Sequence, residues 1–157
     1  MKILQGKVWG GLLLLALAMT APSCRQDTDD LILAASEAGL IPSVYQSISG
    51  RFPNATSIRG QRIDGDRWLV TFSEGSTARM SLLNNTGAYL DGETVVPNGS
   101  MPAVINNALM TALPGGAVQQ LTVIQQNGLV TAWRINCRDS NAAAKTILIS
   151  PAGTVLQ

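Results

Sequence analysis

Side chains that could carry out chemistry are few and widely scattered in this 157-residue chain. It contains no histidine, which excludes His-based catalytic triads, the commonest general base and histidine metal ligation. Asp64 and Asp66 lie on either side of a glycine, but the regularly spaced oxygen ligands of a calcium loop do not follow them. A solvated hairpin tip is the better interpretation of this pair. The sequence therefore predicts no catalytic residue, no metal and no cofactor.

Short motifs typical of enzymes are also missing from the sequence. No Cys-x-x-Cys pair, phosphate-binding Gly-x-x-x-x-Gly-Lys loop or Ser-x-x-Lys pair occurs. Cys137 falls at an apolar position of a predicted strand, so we interpret it as a small buried hydrophobic residue rather than a reactive thiol. The 11 basic and 10 acidic side chains nearly balance, so no strong field would attract nucleic acid.

Arginines in the first half of the chain are candidates for a surface that faces a partner. Arginine is enriched at the energetic hot spots of protein interfaces. The candidates are Arg51, Arg59, Arg62, Arg67 and Arg79. Acidic residues that nearly cancel their charge over the same stretch are Asp64, Asp66, Glu74 and Asp91. A mixed, solvated face is therefore the alternative interpretation of these arginines.

Residues 1–23 have the organisation of a secretory signal peptide. A short basic stretch precedes an uncharged apolar run at Val8–Met19. This run is shorter than the roughly 20 residues that a membrane-spanning helix needs, and its length suits the apolar region of a signal peptide. Ser23 supplies the small residue that a signal peptidase requires before the cleavage position, which places Cys24 first in the mature chain.

The four residues Ala21-Pro22-Ser23-Cys24 resemble the lipobox of bacterial lipoproteins, although Ala21 stands where that pattern usually has leucine. The resemblance implies that Cys24 carries lipid and anchors the protein to a membrane, because several acyl chains together hold firmly. Ordinary secretion with an unmodified Cys24 is the alternative. The acidic stretch 25–30 follows as a solvated tether, or resembles the acidic segment of some surface-exposed lipoproteins. The expected location is the bacterial cell envelope, at the outer membrane and facing the periplasm or the cell surface.

Two stretches of the chain, 41–91 and 101–157, show the same ordered series of signals and predict an internal duplication. Each begins with a proline suited to a first helical turn, continues as an apolar helical stripe, and stops at a second proline. Asp64-Gly65 and Asn127-Gly128 then signal hairpins, because both central residues of the tight turn need positive φ. A tryptophan-bearing strand follows in each copy. Residues 92–100, with Pro97-Asn98-Gly99 as breakers, are predicted as the linker.

Each repeat is predicted as a helix packed on a roughly four-stranded antiparallel sheet, which gives an α+β fold. The helix would cover the apolar face of the sheet and leave the other face in water. Alternation along the strands assigns to the core Trp68, Val70 and Phe72 in the first repeat and Trp133, Ile135 and Cys137 in the second. Residues 24–40 would carry the lipid and the tether, followed by a short helix at Leu31–Leu40 that ends near Gly39.

The pattern of each repeat resembles PepSY-like domains of the beta-lactamase-inhibitor-like group. The residues that carry the resemblance are Pro42, Phe52-Pro53-Asn54-Ala55, Trp68-Leu69-Val70-Thr71-Phe72 and Gly87. The second copy is looser, and Cys137 stands in place of the final aromatic residue. The resemblance implies a non-catalytic module of the envelope that binds or restrains another protein, and it brings no catalytic residue with it.

A lipid-anchored binding module is therefore the first hypothesis for function, with a protein or peptide of the envelope as its partner. A sheet edge or a wet sheet face would be the docking surface. A structural subunit of a surface assembly is an alternative, which predicts self-association. An enzyme acting on envelope polymers is a further alternative, which requires a pocket that gathers Asp64, Asp66, Glu74 or Lys145.

Overall fold

The computed structural model describes residues 24–157 of the chain. The predicted signal peptide at 1–23, with Ser23 at its end, lies outside the described residues. The helices are α1 (Cys24–Glu37), α2 (Pro42–Arg51) and α3 (Ala103–Ala112), and a short 3-10 turn spans Asn98–Ser100. The strands are β1 (Ala55–Arg62), β2 (Arg67–Glu74), β3 (Thr77–Asn84), β4 (Gly92–Val96), β5 (Ala117–Gln126), β6 (Leu129–Arg138) and β7 (Ala144–Ile149).

The strands form two antiparallel sheets, ordered β1-β2-β3 and β4-β5-β6-β7. This arrangement confirms the predicted α+β class. Helix α2 precedes the strands of the first sheet, and α3 precedes β5, β6 and β7 of the second. The two repeats therefore share one order of elements, but they do not share a continuous sheet.

Turns at equivalent places repeat between the two halves of the chain. After β3 the chain turns at Gly87 and returns to form a single bridge between Leu83 and Tyr89. After β7 it turns at Gly153 and forms the matching bridge between Ile149 and Val155. Both glycines adopt left-handed conformations, with φ of 81° and 85°. The correspondence fits the predicted duplication, because such turns need glycine at the same point of each repeat.

The predicted linker is not simply a linker. Its first part, Gly92–Val96, forms β4 and pairs antiparallel with β5, so the second sheet gains its fourth strand from this segment. The first sheet has three strands, where about four were expected. Thr94, Val95 and Val96 are β-branched residues that favour strands, and the breakers begin only at Pro97.

Helix α1 is longer than the predicted helix at Leu31–Leu40. It begins at Cys24, so the acidic stretch 25–30, predicted as a solvated tether, is part of this helix. Gly39, with φ of 69°, ends the helix as expected. The amides of Gly39 and Leu40 bond the carbonyls of Ser36 and Ala35 at 3.0 and 2.8 Å, which is a Schellman cap.

Among the described residues, no single helix is long and apolar enough to cross a membrane. Of the described helices, only α1 and α2 taken together meet that test, and they are bent by 95° relative to each other.

The two hairpin signals have different outcomes. Asn127 and Gly128 adopt φ of 51° and 73°, which confirms the tight turn with positive φ at both central residues. Neither Asp64 nor Gly65 has positive φ. The Ile63 amide bonds the Arg67 carbonyl at 2.9 Å, so this hairpin closes around a longer tip. The Asp64 carboxylate stabilises that tip by accepting the Arg67 amide at 3.1 Å, an alternative that a short acidic side chain offers.

Two hydrophobic cores hold the elements together. The first joins the residues just after α1, Ala38 and Leu40, to α2 and one face of the first sheet, with Val44 and Ile48 of α2 fully buried. The second is larger and joins α3 to the second sheet around Trp133. It also takes in Leu69, Met80 and Leu82 from the opposite face of the first sheet. The expectation that this face is wet is therefore wrong, because the second repeat covers much of it.

A buried glutamine joins the two sheets. Gln125 of β5 is 0% exposed, and its side-chain amide donates to the Leu82 carbonyl of β3 at 2.9 Å. Its side-chain oxygen accepts the Leu82 amide at 2.5 Å. Beside it, the Ser81 hydroxyl donates to the Gly128 carbonyl at 2.5 Å. The amide of Gln125 thus fills the role of a neighbouring strand at the edge of β3.

Replacing Gln125 by leucine should destabilise the protein by about 1–3 kcal/mol, because the buried Leu82 amide loses its partner and the Leu82 carbonyl keeps only the bond from the Leu90 amide. Urea denaturation of Gln125→Leu would measure this loss. Gln126→Leu is the matched control, since Gln126 is exposed on the same strand and should change the free energy of unfolding little. Equal stability of the two variants would contradict a joining role for Gln125.

Replacing Gly87 by alanine should cost about 1–3 kcal/mol more than the same change at Gly75. Both glycines have positive φ, so both variants suffer the same type of backbone strain. A Cβ at Gly87 would lie 2.3 Å from the Ser47 Oγ and 2.6 Å from the Ser43 carbonyl oxygen, whereas a Cβ at Gly75 meets nothing within 4 Å. Thermal and urea unfolding of the two variants would separate the packing cost from the strain. Matching losses would show that the turn does not press on α2.

Candidate functional site

The face of the second sheet opposite α3 is the candidate functional surface, and we call it the outer face. Its position follows from the register of β4 to β7, in which alternate side chains point away from Trp133 and the second core. Its side chains are Glu93, Val95, Gln120, Thr122, Ile124, Ala132, Arg134, Asn136, Arg138, Thr146 and Leu148. This face is the wet sheet face that the sequence predicts for the second repeat.

A charged pair lies at the centre of the outer face. The two terminal nitrogens of Arg134 donate to the two carboxylate oxygens of Glu93, each at 2.6 Å. This two-bond geometry fixes both side chains more firmly than a single contact would. The hydrogen bond from Arg134 holds the pKa of Glu93 below its usual value, and the same bond raises the pKa of Arg134. The pair makes this part of the face electrically neutral.

Uncharged polar side chains next to this pair also bond to one another. The Asn136 side-chain amide donates to the side-chain oxygen of Gln120 at 3.2 Å. The Thr146 hydroxyl donates to the side-chain oxygen of Asn136 at 3.0 Å. These bonds link β5, β6 and β7 across the outer face. They hold the polar groups in fixed positions before any partner arrives.

Apolar side chains lie in the same row as Arg134. The register aligns Val95, Thr122, Arg134 and Leu148 across the four strands. Val95 is 52% exposed, and Leu148 is half-buried. The outer face therefore combines a fixed polar centre with apolar side chains on both sides of it, which is the mixed composition of protein interfaces.

The edge of the second sheet at β7 is occupied, and the edge at β4 is contacted at one carbonyl. Beyond β7, the C-terminal residues pair with the strand, since the Leu148 amide bonds the Gln157 carbonyl at 3.0 Å and the Leu156 amide bonds the Leu148 carbonyl at 2.7 Å. Beyond β4, the Arg67 guanidinium donates to the Val95 carbonyl at 2.6 Å. Covered edges resist the addition of a further strand. The outer face and the rest of the β4 edge are therefore the open surfaces of this sheet.

Two of the predicted partner-facing arginines connect the repeats. Arg51 donates to the Asn127 carbonyl at 2.8 Å, and its guanidinium lies 4.8 Å from the ring centre of Tyr89. Arg67 bonds both the Asp64 carboxylate and the Val95 carbonyl. Both arginines thus hold parts of the protein to each other.

The other three predicted arginines are dispersed. Arg62 donates to the Asp64 carbonyl at 3.0 Å and shares a sheet face with Trp68. Arg59 points to the opposite face of the same strand and donates to the Ile58 carbonyl at 2.9 Å. Arg79 lies on β3 near Glu74. The structure does not gather the five arginines into one patch.

The residues assigned to the core occupy the expected faces. Fully or almost fully buried are Val70, Phe72, Trp133, Ile135 and Cys137. Trp68 is only half-buried, and its indole N–H donates to the Asn85 side-chain oxygen at 2.7 Å. Burial raises the pKa of the Cys137 thiol, which disfavours the reactive thiolate at neutral pH.

The acidic residues weighed for catalysis are not assembled. The Asp64 carboxylate is bound by Arg67, and this hydrogen bond is the main cause of its lowered pKa. Glu74 ends β2 in the first repeat, whereas Lys145 lies on β7 in the second. Between residues 24 and 157, no group of three or more His, Cys, Asp or Glu side chains could hold a metal ion.

Comparisons with known proteins found solved structures only; no family model and no curated protein matches the chain. The chain is similar to a DUF2874 family protein from Bacteroides uniformis, with 16% identity over 73% of this chain and 85% of that chain and a TM-score of 0.37. It is similar to a BLIP-like protein from Bacteroides fragilis, with 14% identity over 78% and 89% of the two chains and a TM-score of 0.35. A DUF2874 family protein from Bacteroides ovatus has 15% identity over 73% and 83%, with a TM-score of 0.34.

Replacing Arg134 by glutamine should raise the pKa of Glu93 towards its ordinary value, because the lowering hydrogen bonds are lost. A carboxyl group with a lowered pKa in the folded state stabilises the protein above its unfolded pKa, and that contribution disappears as pH falls through the folded pKa. The difference in stability between wild type and Arg134→Gln should therefore shrink under acidic conditions. Carboxyl NMR titration and urea unfolding across pH would test this.

Arg138→Gln is the control for this titration, since Arg138 lies on the same strand and bonds only the Ala142 carbonyl, at 3.0 Å. It should leave the pKa of Glu93 unchanged. A Glu93 pKa that is the same in all three proteins would refute the coupling.

Proposed function

We propose that this protein is a non-catalytic binding module of the bacterial cell envelope, which holds another protein on the outer face of its second sheet. The observation that carries the proposal is the row Val95, Thr122, Arg134 and Leu148, where apolar side chains flank an arginine that a carboxylate neutralises. Beyond this pair, the charged side chain of the outer face is Arg138, which lies outside the row at the end of β6. Interface centres are typically poor in charge and rich in packed apolar and arginine side chains.

The rigidity of the outer face supports this role. Its polar groups already bond each other, as in the Glu93–Arg134 and Asn136–Gln120 pairs. Binding would therefore order few additional side chains, and each side chain that need not be ordered preserves affinity. The expected partner is a folded protein with a largely neutral surface and apolar side chains opposite Val95 and Leu148.

The proposed membrane anchor would lie at the opposite end of the chain from this surface. Lipidation at Cys24 would attach the membrane through α1, which packs on α2 of the first repeat. The outer face is built entirely from β4 to β7. Anchor and binding surface would thus use different repeats, and we propose the outer membrane as the site of anchoring.

Val95→Lys should remove the partner, whereas Ile32→Lys should not. Both side chains are exposed apolar residues of similar accessibility, 52% and 50%, but Ile32 lies on α1. The full-length protein would be purified from its own membrane, and the co-purifying partner identified and isolated. Calorimetry would then measure its affinity for each variant. We expect roughly a 30-fold weaker complex or worse for Val95→Lys, because the complex would bury an unpaired charge.

Unchanged affinity of a folded Val95→Lys protein would overturn the proposed surface. Sedimentation of the purified protein gives an independent check, because self-association through the outer face would instead indicate a structural subunit.

Cys24→Ser tests the anchor: this variant should leave the membrane fraction, and its retention there would refute lipid attachment at Cys24.

A further inference from the structure

An open cleft of about 450 Å³ lies between the two repeats. Ala78 and Arg79 of β3 form one wall, and Leu129 and Val130 of β6 form another. Pro151, in the turn after β7, completes the lining with neighbouring small and polar residues. A volume of this size falls within the range of ligand pockets, roughly 300–1,000 Å³.

The charge on the lining of the cleft is positive. Its lining among the described residues contains Arg79 and no acidic side chain. The carboxylate nearest to Arg79 in the described chain belongs to Glu74, and it lies 3.6 Å from the Arg79 Nε, beyond hydrogen-bond distance. By contrast, Arg134 bonds both oxygens of its carboxylate partner at 2.6 Å.

One hydrogen-bond donor of the Arg79 guanidinium is unpaired in the part of the chain that the structure describes. Its Nε is buried and has no hydrogen-bond partner among residues 24–157. The side chain as a whole is 40% exposed, so its two terminal nitrogens, rather than the buried Nε, are the donors that a carboxylate in the cleft would meet. A carboxylate can form two parallel bonds with these nitrogens. Arg79 is thus poised to bind a carboxylate that enters beside apolar walls.

We propose that this cleft binds the C-terminal residue of a polypeptide. The terminal carboxylate bonds Arg79, and an apolar final side chain packs against Leu129 and Pro151. The Asn127 and Thr131 side chains line the same cleft and offer partners for the amides of a peptide, which a hydrocarbon tail would not use. The open side of the cleft lets the rest of the peptide leave.

This site is separate from the outer face. The residues that line the cleft include none of those that form the outer face, so the two proposals stand or fall separately. Glu74 competes for the same guanidinium from outside the lining. Removing its charge should therefore strengthen carboxylate binding, while removing Arg79 should abolish it.

The test uses a fluorescein-labelled peptide, Gly-Ser-Ala-Val-Leu, as the free acid and as its C-terminal amide. Fluorescence anisotropy would measure binding of each form to the purified full chain. We expect the amide to bind at least tenfold more weakly than the acid. Arg79→Gln should weaken binding of the acid at least tenfold and leave binding of the amide unchanged, and Glu74→Gln should tighten binding of the acid.

Two further variants control for indirect effects. Arg59→Gln removes a positive charge from the same sheet outside the cleft and should bind as the wild type does. Ala152→Trp fills the cleft without changing charge and should weaken binding of both peptides. Circular dichroism and thermal unfolding would verify that each variant is folded.

Three results would overturn the proposal. Equal binding of acid and amide would show that no terminal carboxylate is recognised, and undetectable binding of both peptides would show that the cleft takes no such ligand. Octanoate that displaces the peptide as effectively as the unlabelled acid would assign the cleft to free lipid carboxylates instead.

Discussion

The packing of the two sheets against each other is centred on one buried side-chain amide. Gln125 is completely buried between the sheets, and its amide satisfies both the N–H and the carbonyl of Leu82. Bonds from Ser81, Arg51 and Arg67 also cross between the repeats. A β-ladder would fix the angle between two sheets rigidly, whereas these separate contacts let the surrounding apolar side chains determine the packing. Because a buried amide is costly unless all its bonds form, only one placement of β3 against β5 satisfies it.

The duplicated halves differ at the segment that precedes each repeat. Helix α1 precedes the first repeat and packs on α2, whereas β4 precedes the second and extends its sheet. This asymmetry gives the two halves different roles. The first repeat has both faces of its sheet largely covered, one by helices and one by the second core. Within residues 24–157, the sheet face that is mostly open to solvent belongs to the second repeat, although Thr122 and Ala132 near its centre are buried.

Local signals were sufficient for much of this fold. Prolines and apolar periodicity indicated α2 and α3, and Asn127-Gly128 indicated its turn, because short-range sterics decide these features. Strand β4 was missed, since a short segment flanked by breakers becomes a strand only when β5 is beside it. Gln125 was missed as well, although it continues the buried alternation of Leu121 and Val123. Its partner is 43 residues away in the sequence, and no local pattern reports such a contact.

The tip of the β5–β6 hairpin, Asn127-Gly128, is a site at which asparagine could deamidate. Asn-Gly is the dipeptide in which the following backbone nitrogen most readily attacks the asparagine side chain, which turns the residue into isoaspartate. In this protein the nitrogen of Gly128 is buried and donates to the Asp91 carboxylate at 2.8 Å. The Asn127 carbonyl is held by Arg51 at the same time. These two contacts, from Gly128 to Asp91 and from Arg51 to Asn127, join the repeats. They therefore also slow deamidation of Asn127 in this turn.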